Sequence, residues 1–321
     1  MTGTAEHVGF DPTLSLGNVT VSRLGYGAMQ LTGPRVIGLP ADPNTAIALL
    51  RYAVEHGVRF FDTANAYGPR TVNQLIGAAL APFGDDVLIG NKVGATRGPH
   101  GEWVTDSRPE TIRAQVEDAL LDLRAERSDL TYLRLWGDSE GRAGSIGGEV
   151  SLEDSLGVLV DLHQEGKIDR IGISGATSPL LAQAQQVAPI AAVQNRYNLI
   201  DRSGVEVLEA CERNGIAFVP YYPLATGVIG ELDALSRPAH RLDVPETRIA
   251  LAWLLRRSPV IVPIPGTTSI AHLDDNLKAA DVAAELTDDE VHDLTALEDE
   301  ATAALTRMPA RMLDALRRPR A

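Results

Sequence analysis

Asp62, Tyr67 and Lys92 stand where short apolar runs give way to Gly-rich and polar turns, and together they make a proton-donating set. The stretch Val58-Arg59-Phe60-Phe61-Asp62-Thr63-Ala64-Asn65-Ala66-Tyr67-Gly68 reads as a buried strand ending on a carboxylate, followed by a loop that presents a phenol. The next strand, Val87-Leu88-Ile89-Gly90-Asn91-Lys92, ends on a lysine. A lysine beside a tyrosine favours the phenolate and is expected to lower the phenol pKa from about 10 towards working pH. A nearby aspartate keeps that lysine charged and aimed. A tyrosine so placed can protonate a carbonyl oxygen.

The chain has three lysines, Lys92, Lys167 and Lys278, and its other cationic side chains are arginines. Arginine does not replace a compact ammonium where a point charge must tune a neighbour, which weights Lys92 towards function. Taken singly, each residue has a plainer reading. Lys92 could close an exposed strand end, Asp62 could cap a turn, and Tyr67 could be a half-buried packing residue. Their joint placement after consecutive strands is what favours a site.

The elements that must position them follow from the hydrophobic pattern. After a hairpin over residues 14–21 with a Gly17-Asn18 turn, strand patterns recur at residues 23–29, 58–62, 87–92, 130–135, 168–174, 190–194, 216–220 and 260–263. Amphipathic helical stretches lie between them, at residues 44–56, 71–80, 109–123, 152–164, 179–186, 204–214, 246–257 and 271–280. Gly57, Gly166 and Gly215 stand between a helix and the next strand, as helix C-terminal glycines do. Eight such units in 321 residues predict a single α/β domain over residues 1–321, a closed (β/α)₈ TIM barrel preceded by a β-hairpin. A doubly wound dinucleotide fold is disfavoured, because Gly25-Tyr26-Gly27 is followed by Ala28-Met29-Gln30 where a third glycine is needed. A barrel also gathers Asp62, Lys92, Arg134, Ser174, Gln194, Tyr221 and Gly266 at one mouth.

Composition narrows the function classes. Hydrophobic residues make up 44% of the chain, with no apolar run long enough to span a membrane and no signal-peptide pattern over residues 1–11, so a cytoplasmic protein is expected. A net charge of −14 predicts repulsion from nucleic acid and anionic membranes, and the Arg-rich end at residues 311–320 reads as a solvated tail. Cys211, the single cysteine, is expected as a buried thiol. The seven histidines show no metal-ligand spacing. No coiled-coil heptads are visible, so a monomer or a small homo-oligomer is expected.

Six ordered motifs resemble the aldo-keto reductases over residues 14–297. They are Asp62-Thr63-Ala64-Asn65-Ala66-Tyr67-Gly68, Lys92, Gly172-Ile173-Ser174, Gln194-Asn195-Arg196-Tyr197-Asn198, Tyr221-Tyr222-Pro223-Leu224, and Ile264-Pro265-Gly266-Thr267 with Asn276. Residues 24–30 and 133–138 look more specifically like the bacterial pyridoxal reductase-like branch. The resemblance implies reversible NADPH-dependent reduction of a small-molecule carbonyl. It makes Tyr67 the acid, Lys92 its partner and Asp62 the residue that orients Lys92. It places Ser174, Gln194 and Tyr221 at the nicotinamide end of the cofactor, and makes Gly27, Met29, Asp62, Pro223 and Leu224 further cofactor contacts. Gly266, Thr268, His272, Asp275 and Asn276 fall at the adenosine end, by a helix N-terminus suited to phosphate.

Two features depart from the family pattern. Arg134 stands where most members carry histidine, and arginine donates hydrogen bonds and charge without shuttling protons. It either orients the carbonyl or pairs with an acid such as Asp138. The last loop offers Gly266, Thr267, Thr268, Ser269 and His272 where many relatives place a cation for the adenosine 2′-phosphate; Thr267, Thr268 and Ser269 would equally cap a helix. Substrate contacts are expected from Met29, Trp103, Trp136 and Tyr222, an aromatic wall for a flat ring such as pyridoxal. Long irregular loops at residues 94–107, 137–150 and 226–242 would surround it. A ketone or keto sugar is the other enzymatic substrate. Two further classes stay open: a cofactor-binding regulatory subunit with negligible turnover, and a lyase or isomerase using a Lys92 Schiff base.

Overall fold

The computed structural model describes residues 10–16, 19–135, 150–225, 229 and 232–297. Trp136, Asp138 and the Arg-rich stretch 311–320 lie outside the described residues. A hairpin of β1 (Thr13–Leu16) and β2 (Val19–Ser22) comes first, paired antiparallel with Leu16 opposite Val19. Next come β3 (Tyr26–Gly27), α1 (Pro43–Glu55), β4 (Phe60–Asp62), α2 (Thr71–Leu80) and β5 (Leu88–Val93). A second hairpin, β6 (Ala95–Arg97) and β7 (Trp103–Thr105), precedes α3 (Pro109–Leu123). The alternation then continues through β8 (Leu130–Arg134), α4 (Leu152–Gln164), β9 (Ile171–Ser174), α5 (Ser178–Val187), β10 (Ile190–Arg196), α6 (Val205–Asn214) and β11 (Ala217–Tyr221). Five helices close the described chain: α7 (Asp233–Leu242), α8 (Glu246–Arg257), α9 (Ile270–Leu277), α10 (Ala279–Glu285) and α11 (Asp288–Ala296).

Seven strands form one parallel sheet in the order β11-β10-β9-β8-β5-β4-β3, giving a TIM-barrel-like α/β fold. The expected eighth strand, residues 260–263, makes a single bridge, Phe218 to Ile261. Phe218 donates to the Val260 carbonyl at 2.8 Å and Val262 donates to the Phe218 carbonyl at 2.9 Å. On its other side this segment accepts from the start of the chain: Gly25 N–H reaches the Pro263 carbonyl at 2.9 Å and Gly27 N–H the Pro265 carbonyl at 3.3 Å. Pro263 and Pro265 have no N–H to return, so the ladder stays sparse there although both sheet edges meet on it.

Neighbouring strand residues are buried on opposite faces, the period-two signature of a sheet covered on both sides. Phe60, Leu88, Leu130, Tyr132, Ala192, Ala217, Val219, Val262 and Ile264 pack inside the curled sheet, with Leu16 and Val21 of the first hairpin in the same cluster. Their neighbours Phe61 and Ile89 face the helix layer of α1 and α2, while Leu133, Val193 and Phe218 face the other helices. Helix α1 shows why such stretches fold as they do. Ala46, Leu49, Leu50 and Ala53 form one buried stripe at helical spacing, and Pro43 begins the first turn. The Asp42 carboxylate accepts from Asn44 N–H at 2.9 Å and Thr45 N–H at 3.3 Å, a cap worth about 1 kcal/mol. Gly57 ends the element at φ 93°, where a side chain would be strained.

Arg23, 3% exposed, ties the start of the barrel to its end. Its guanidinium donates to the Ile261 carbonyl at 3.1 Å, the Leu255 carbonyl at 2.6 Å and, more closely still, the Ser258 carbonyl. The predicted strand over residues 23–29 is accordingly shorter. Only Tyr26 and Gly27 pair with Phe61 and Asp62, and Ala28–Leu31 winds into a 3₁₀ turn that carries Met29.

Other expectations need correction. Residues 94–107 are not irregular: β6 and β7 pair with Ala95 opposite Thr105 and Arg97 opposite Trp103. Residues 233–242, expected as part of a mouth loop, form α7, whose Leu235 and Ala239 are buried despite Pro238 inside the helix. The helix predicted over 271–280 divides at Lys278, where ψ of −5° breaks the turn between α9 and α10. Cys211 is a buried thiol, and burial pushes its pKa up to about 12. Among the described residues no helix is long and apolar enough to cross a membrane.

Candidate active site

Sheet register brings the expected residues to one level. Gly27 lies beside Asp62 and Asp62 beside Gly90, while Arg134 lies beside Ser174 and Ser174 beside Gln194. All are at or near the C-terminal ends of parallel strands, so their side chains converge. Asp62 and Lys92, each 2% exposed, make the centre. Lys92 Nζ donates to both Asp62 carboxylate oxygens at 2.6 Å and to the Thr63 carbonyl at 3.0 Å, which uses its three N–H groups. Gln194 Nε2 adds a donor to Asp62 Oδ1 at 2.7 Å. With every ammonium proton committed, the arrangement weighs against a Schiff base at Lys92.

Tyr67 is held by its loop. Its N–H bonds the Ala64 carbonyl at 3.0 Å, and Asn65 N–H bonds the Lys92 carbonyl at 3.1 Å. Behind that loop, fully buried Asn73 of α2 accepts from the Thr63 hydroxyl at 2.7 Å and donates towards Asn65 and Asn91 at 3.1 and 3.2 Å. One amide thus joins two strand ends and a helix, and each member of the network is satisfied. Gly68 follows at φ 86°, and a Cβ there would come within 2.4 Å of the Thr71 side chain. The Gly38 N–H bonds the Gly68 carbonyl at 3.0 Å and the Gly68 N–H bonds the Val36 carbonyl at 3.2 Å, fixing the neighbouring loop. In that loop Arg35 and Val36 both have positive φ, 59° and 61°, and Val36 is β-branched, so the backbone there is strained.

Lys92 Nζ lies 5.1 Å from the centre of the Tyr67 ring, and the Arg134 guanidinium lies 5.9 Å from it. The electrostatic outcome differs from the sequence expectation. Burial and the Asp62 carboxylate push the phenol pKa well up, against a smaller downward pull from Arg134. Lys92 does not reverse this because its charge is matched by Asp62 at contact distance. Burial, opposed by Asp62 and assisted by Arg134, brings the Lys92 ammonium down to about 8. Tyr67 is therefore a protonated donor at neutral pH rather than a poised phenolate.

Arg134 also covers Trp103, at 4.8 Å from the indole centre, and Trp103 meets Tyr67 edge to face at 6.2 Å. Trp103 is 7% exposed and so forms a wall of the site from β7. Trp136 and the alternative Arg134 partner Asp138 lie outside the described residues.

On the other side, Asn195 accepts from the Gly175 and Ala176 N–H groups at 3.1 and 3.0 Å, fixing the loop after Ser174. Asn198 donates to the Tyr222 carbonyl at 2.9 Å, and Tyr222 has φ 54°. Tyr221 and Tyr222 are half-buried, stand edge to face at 5.4 Å and share Arg196. Pro223 is buried and Leu224 half-buried beside them. Gly27 and Gly266 come so close that a Cβ on Gly27 would meet the Ile264 carbonyl at 2.5 Å and one on Gly266 the Gly27 carbonyl at 2.6 Å. This contact seats the last loop against β3. Ser269 caps α9, its hydroxyl accepting from the His272 N–H at 3.4 Å. Thr268 and His272 are exposed, and Asn276 is buried.

Asp275 forms an ion pair with Arg248 of α8. The expected lack of a cation near the last loop thus holds for the loop itself and not for its surroundings. Nothing in the sequence marks Arg248, because its partner lies 27 residues further along on another helix. Arg97 was missed as well. Its signal was the turn-forming Gly98-Pro99-His100-Gly101 between two short β-prone runs.

Comparison with known proteins places this geometry. A family model, the Aldo/keto reductase family, matches residues 23–299. The chain belongs to the aldo/keto reductase family. It is therefore an oxidoreductase acting on carbonyl and alcohol groups. The chain is 42% identical over 268 residues to pyridoxine 4-dehydrogenase of Escherichia coli K12, covering 83% of this aldo/keto reductase and 92% of that relative. Among solved structures, a thermostable aldo-keto reductase in complex with epalrestat is 27% identical, with TM-score 0.76, covering 89% of this chain and 99% of the other. An aldo/keto reductase from Klebsiella pneumoniae, solved with NADP and acetate, shares the fold at TM-score 0.74 and 22% identity, covering 90% and 95% of the two chains.

Proposed function

We propose that the protein reduces an aldehyde or ketone to the alcohol with NADPH, Tyr67 giving the proton, and that an aromatic aldehyde of the pyridoxal kind is its substrate. The observation that carries this reading is the buried Asp62–Lys92 pair beside Tyr67, with Lys92 Nζ 5.1 Å and the Arg134 guanidinium 5.9 Å from the phenol ring centre. The similarity to a pyridoxine 4-dehydrogenase supports the substrate class. A complete (β/α)₈ barrel over residues 1–321, in the cytoplasm and active as a monomer or small homo-oligomer, is part of the same reading.

The residues present fit NADPH. Ser174 and Gln194 are buried polar groups at one level beside the half-buried Tyr221 ring, which suits a flat carboxamide-bearing heterocycle. Gly27, Met29, Pro223 and Leu224 would border it. The close Gly27–Gly266 approach seats the loop that leads into α9 against β3, and Gly266, Thr268, His272 and Asn276 would hold the adenosine end. The Asp275–Arg248 pair adds a guanidinium that Asp275 can share with a phosphate. When bound, the cofactor supplies the hydride. Arg134 orients the carbonyl oxygen towards the phenol, and Tyr67 transfers its proton to that oxygen. The resulting phenolate is stabilised by Lys92 and Arg134, whose positions are fixed beforehand. Asp62 keeps Lys92 aimed, and Trp103 shields this proton transfer from water.

Consumption of NADPH, followed by loss of the reduced-nicotinamide absorbance on adding pyridoxal, tests the proposal, with NADH in parallel. Turnover of aliphatic ketones but not of aromatic aldehydes would remove the substrate reading. NADPH binding with no turnover of any carbonyl would remove the reductase reading.

A pH dependence follows from Lys92. Above about 8 its ammonium loses the proton, and the Tyr67 phenolate loses a supporting cation. The rate of aldehyde reduction is expected to fall as pH rises through that value. Lys92→Arg, which stays protonated, should remove this limb from the kcat/KM profile whatever its absolute rate. A limb at the same pH in the variant would show that another group controls it.

A further inference from the structure

Near Tyr67, across Trp103, the structure holds a cation that the proton transfer does not use. Arg97, on β6, stacks on Trp103 with its guanidinium 4.1 Å from the indole centre, and Arg134 lies over the same ring at 4.8 Å. Arg97 Nη2 donates to the Arg35 carbonyl at 2.7 Å, whereas its Nε and Nη1 are buried and have no hydrogen-bond partner among the described residues. Buried guanidinium donors are ordinarily satisfied, so these two N–H groups point to a ligand. Burial and the nearby Arg134 and Arg35 lower the Arg97 pKa to about 10, and the carboxylate that opposes them, Glu102, accepts from the His100 N–H at 3.0 Å, within its own turn.

We propose that Arg97, with Trp103 and Arg134, forms a subsite for an anionic group on the substrate, so that the preferred substrates are carbonyl compounds bearing a carboxylate, phenolate or phosphate. This rests on the reductase reading of Tyr67. Trp103 links the two functions: its edge contact to Tyr67 places one part of a flat substrate at the phenol, and its stacked guanidiniums receive the charged part. Guanidinium matches the planar, two-oxygen face of a carboxylate or phosphate. The strained backbone at Arg35 and Val36 is then part of the device, because the Arg35 carbonyl fixes one edge of the Arg97 guanidinium and leaves Nε and Nη1 for the ligand.

The test compares para-carboxybenzaldehyde with its neutral methyl ester. Wild type should show a kcat/KM about tenfold or more higher for the acid, carried by KM and falling with added salt. In Arg97→Leu that ratio should drop to about one, with partial recovery in Arg97→Lys. A merely structural Arg97, packing Trp103 and holding the loop, would lower both substrates alike and leave the ratio unmoved. Should Arg97→Leu not fold, Arg97→Gln serves the same comparison. A wild-type ratio of one or less, or a ratio unchanged by the substitution, overturns the proposal. If neither aldehyde is turned over the reductase reading fails by itself, and calorimetry decides the subsite. Benzoate binding to wild type, lost in the variant and absent for benzamide, supports it, and no benzoate binding overturns it.

Discussion

Tyr67→Phe is expected to lower carbonyl reduction by about a thousandfold, within the range of 10²–10⁴ typical of a positioned general acid. The phenylalanine ring keeps the edge contact to Trp103 and the packing under the 5%-exposed tyrosine, so the loss isolates one hydroxyl. NADPH affinity should remain within a few-fold, because no cofactor contact is assigned to that oxygen. The measurement is kcat under saturating cofactor together with fluorescence titration of NADPH. A variant that keeps more than a tenth of the wild-type rate would shift the proton to another donor. Arg134 is not that donor, since a guanidinium does not deprotonate near neutrality.

Breaking the Asp62–Lys92 pair should cost both stability and turnover, but in different patterns. Each partner is buried, so Lys92→Met leaves an unpaired carboxylate and Asp62→Leu an unpaired ammonium in a low-dielectric site. Each single change is expected to destabilise the fold by about 3–5 kcal/mol. The double variant should recover most of that loss, because two apolar side chains of similar volume leave no buried charge. Recovery stays incomplete, as Gln194 Nε2 and the Thr63 carbonyl lose their partners. Turnover should be lost in all three. Denaturant midpoints checked against activity separate the two effects. A double variant no more stable than the weaker single one would mean that the pair itself is a net stabiliser.

The residues that were legible in the sequence are those whose positions follow from chain periodicity. Asp62 and Lys92 end successive buried runs, and a parallel sheet must bring such ends to one side. Arg134, Ser174 and Gln194 follow from the same rule. What periodicity could not give was contact between elements with no shared pattern. Arg248 reaches Asp275 from another helix, and Asn73 reaches back to two strand ends from among Val72, Leu75 and Ile76, on a helix whose buried residues look like core. Hairpin β6–β7 was hidden by its length, three residues a side. The Tyr67 pKa was misjudged in direction because a sequence shows which charges are near and not how far each is already neutralised.

The Arg23 clasp sets a constraint on how the chain is made. Its partner carbonyls on Leu255 and Ile261 lie 232 and 238 residues downstream. At roughly 5–20 residues per second, a ribosome leaves this arginine waiting about 12–50 s before the groups that satisfy it have been synthesised. The first strand cannot complete its pairing sooner, since Gly25 and Gly27 also donate to Pro263 and Pro265. The nascent N-terminal half therefore holds an unclosed sheet edge through most of translation. This is the interval in which a chaperone has surface to bind, and in which chain truncation is most damaging.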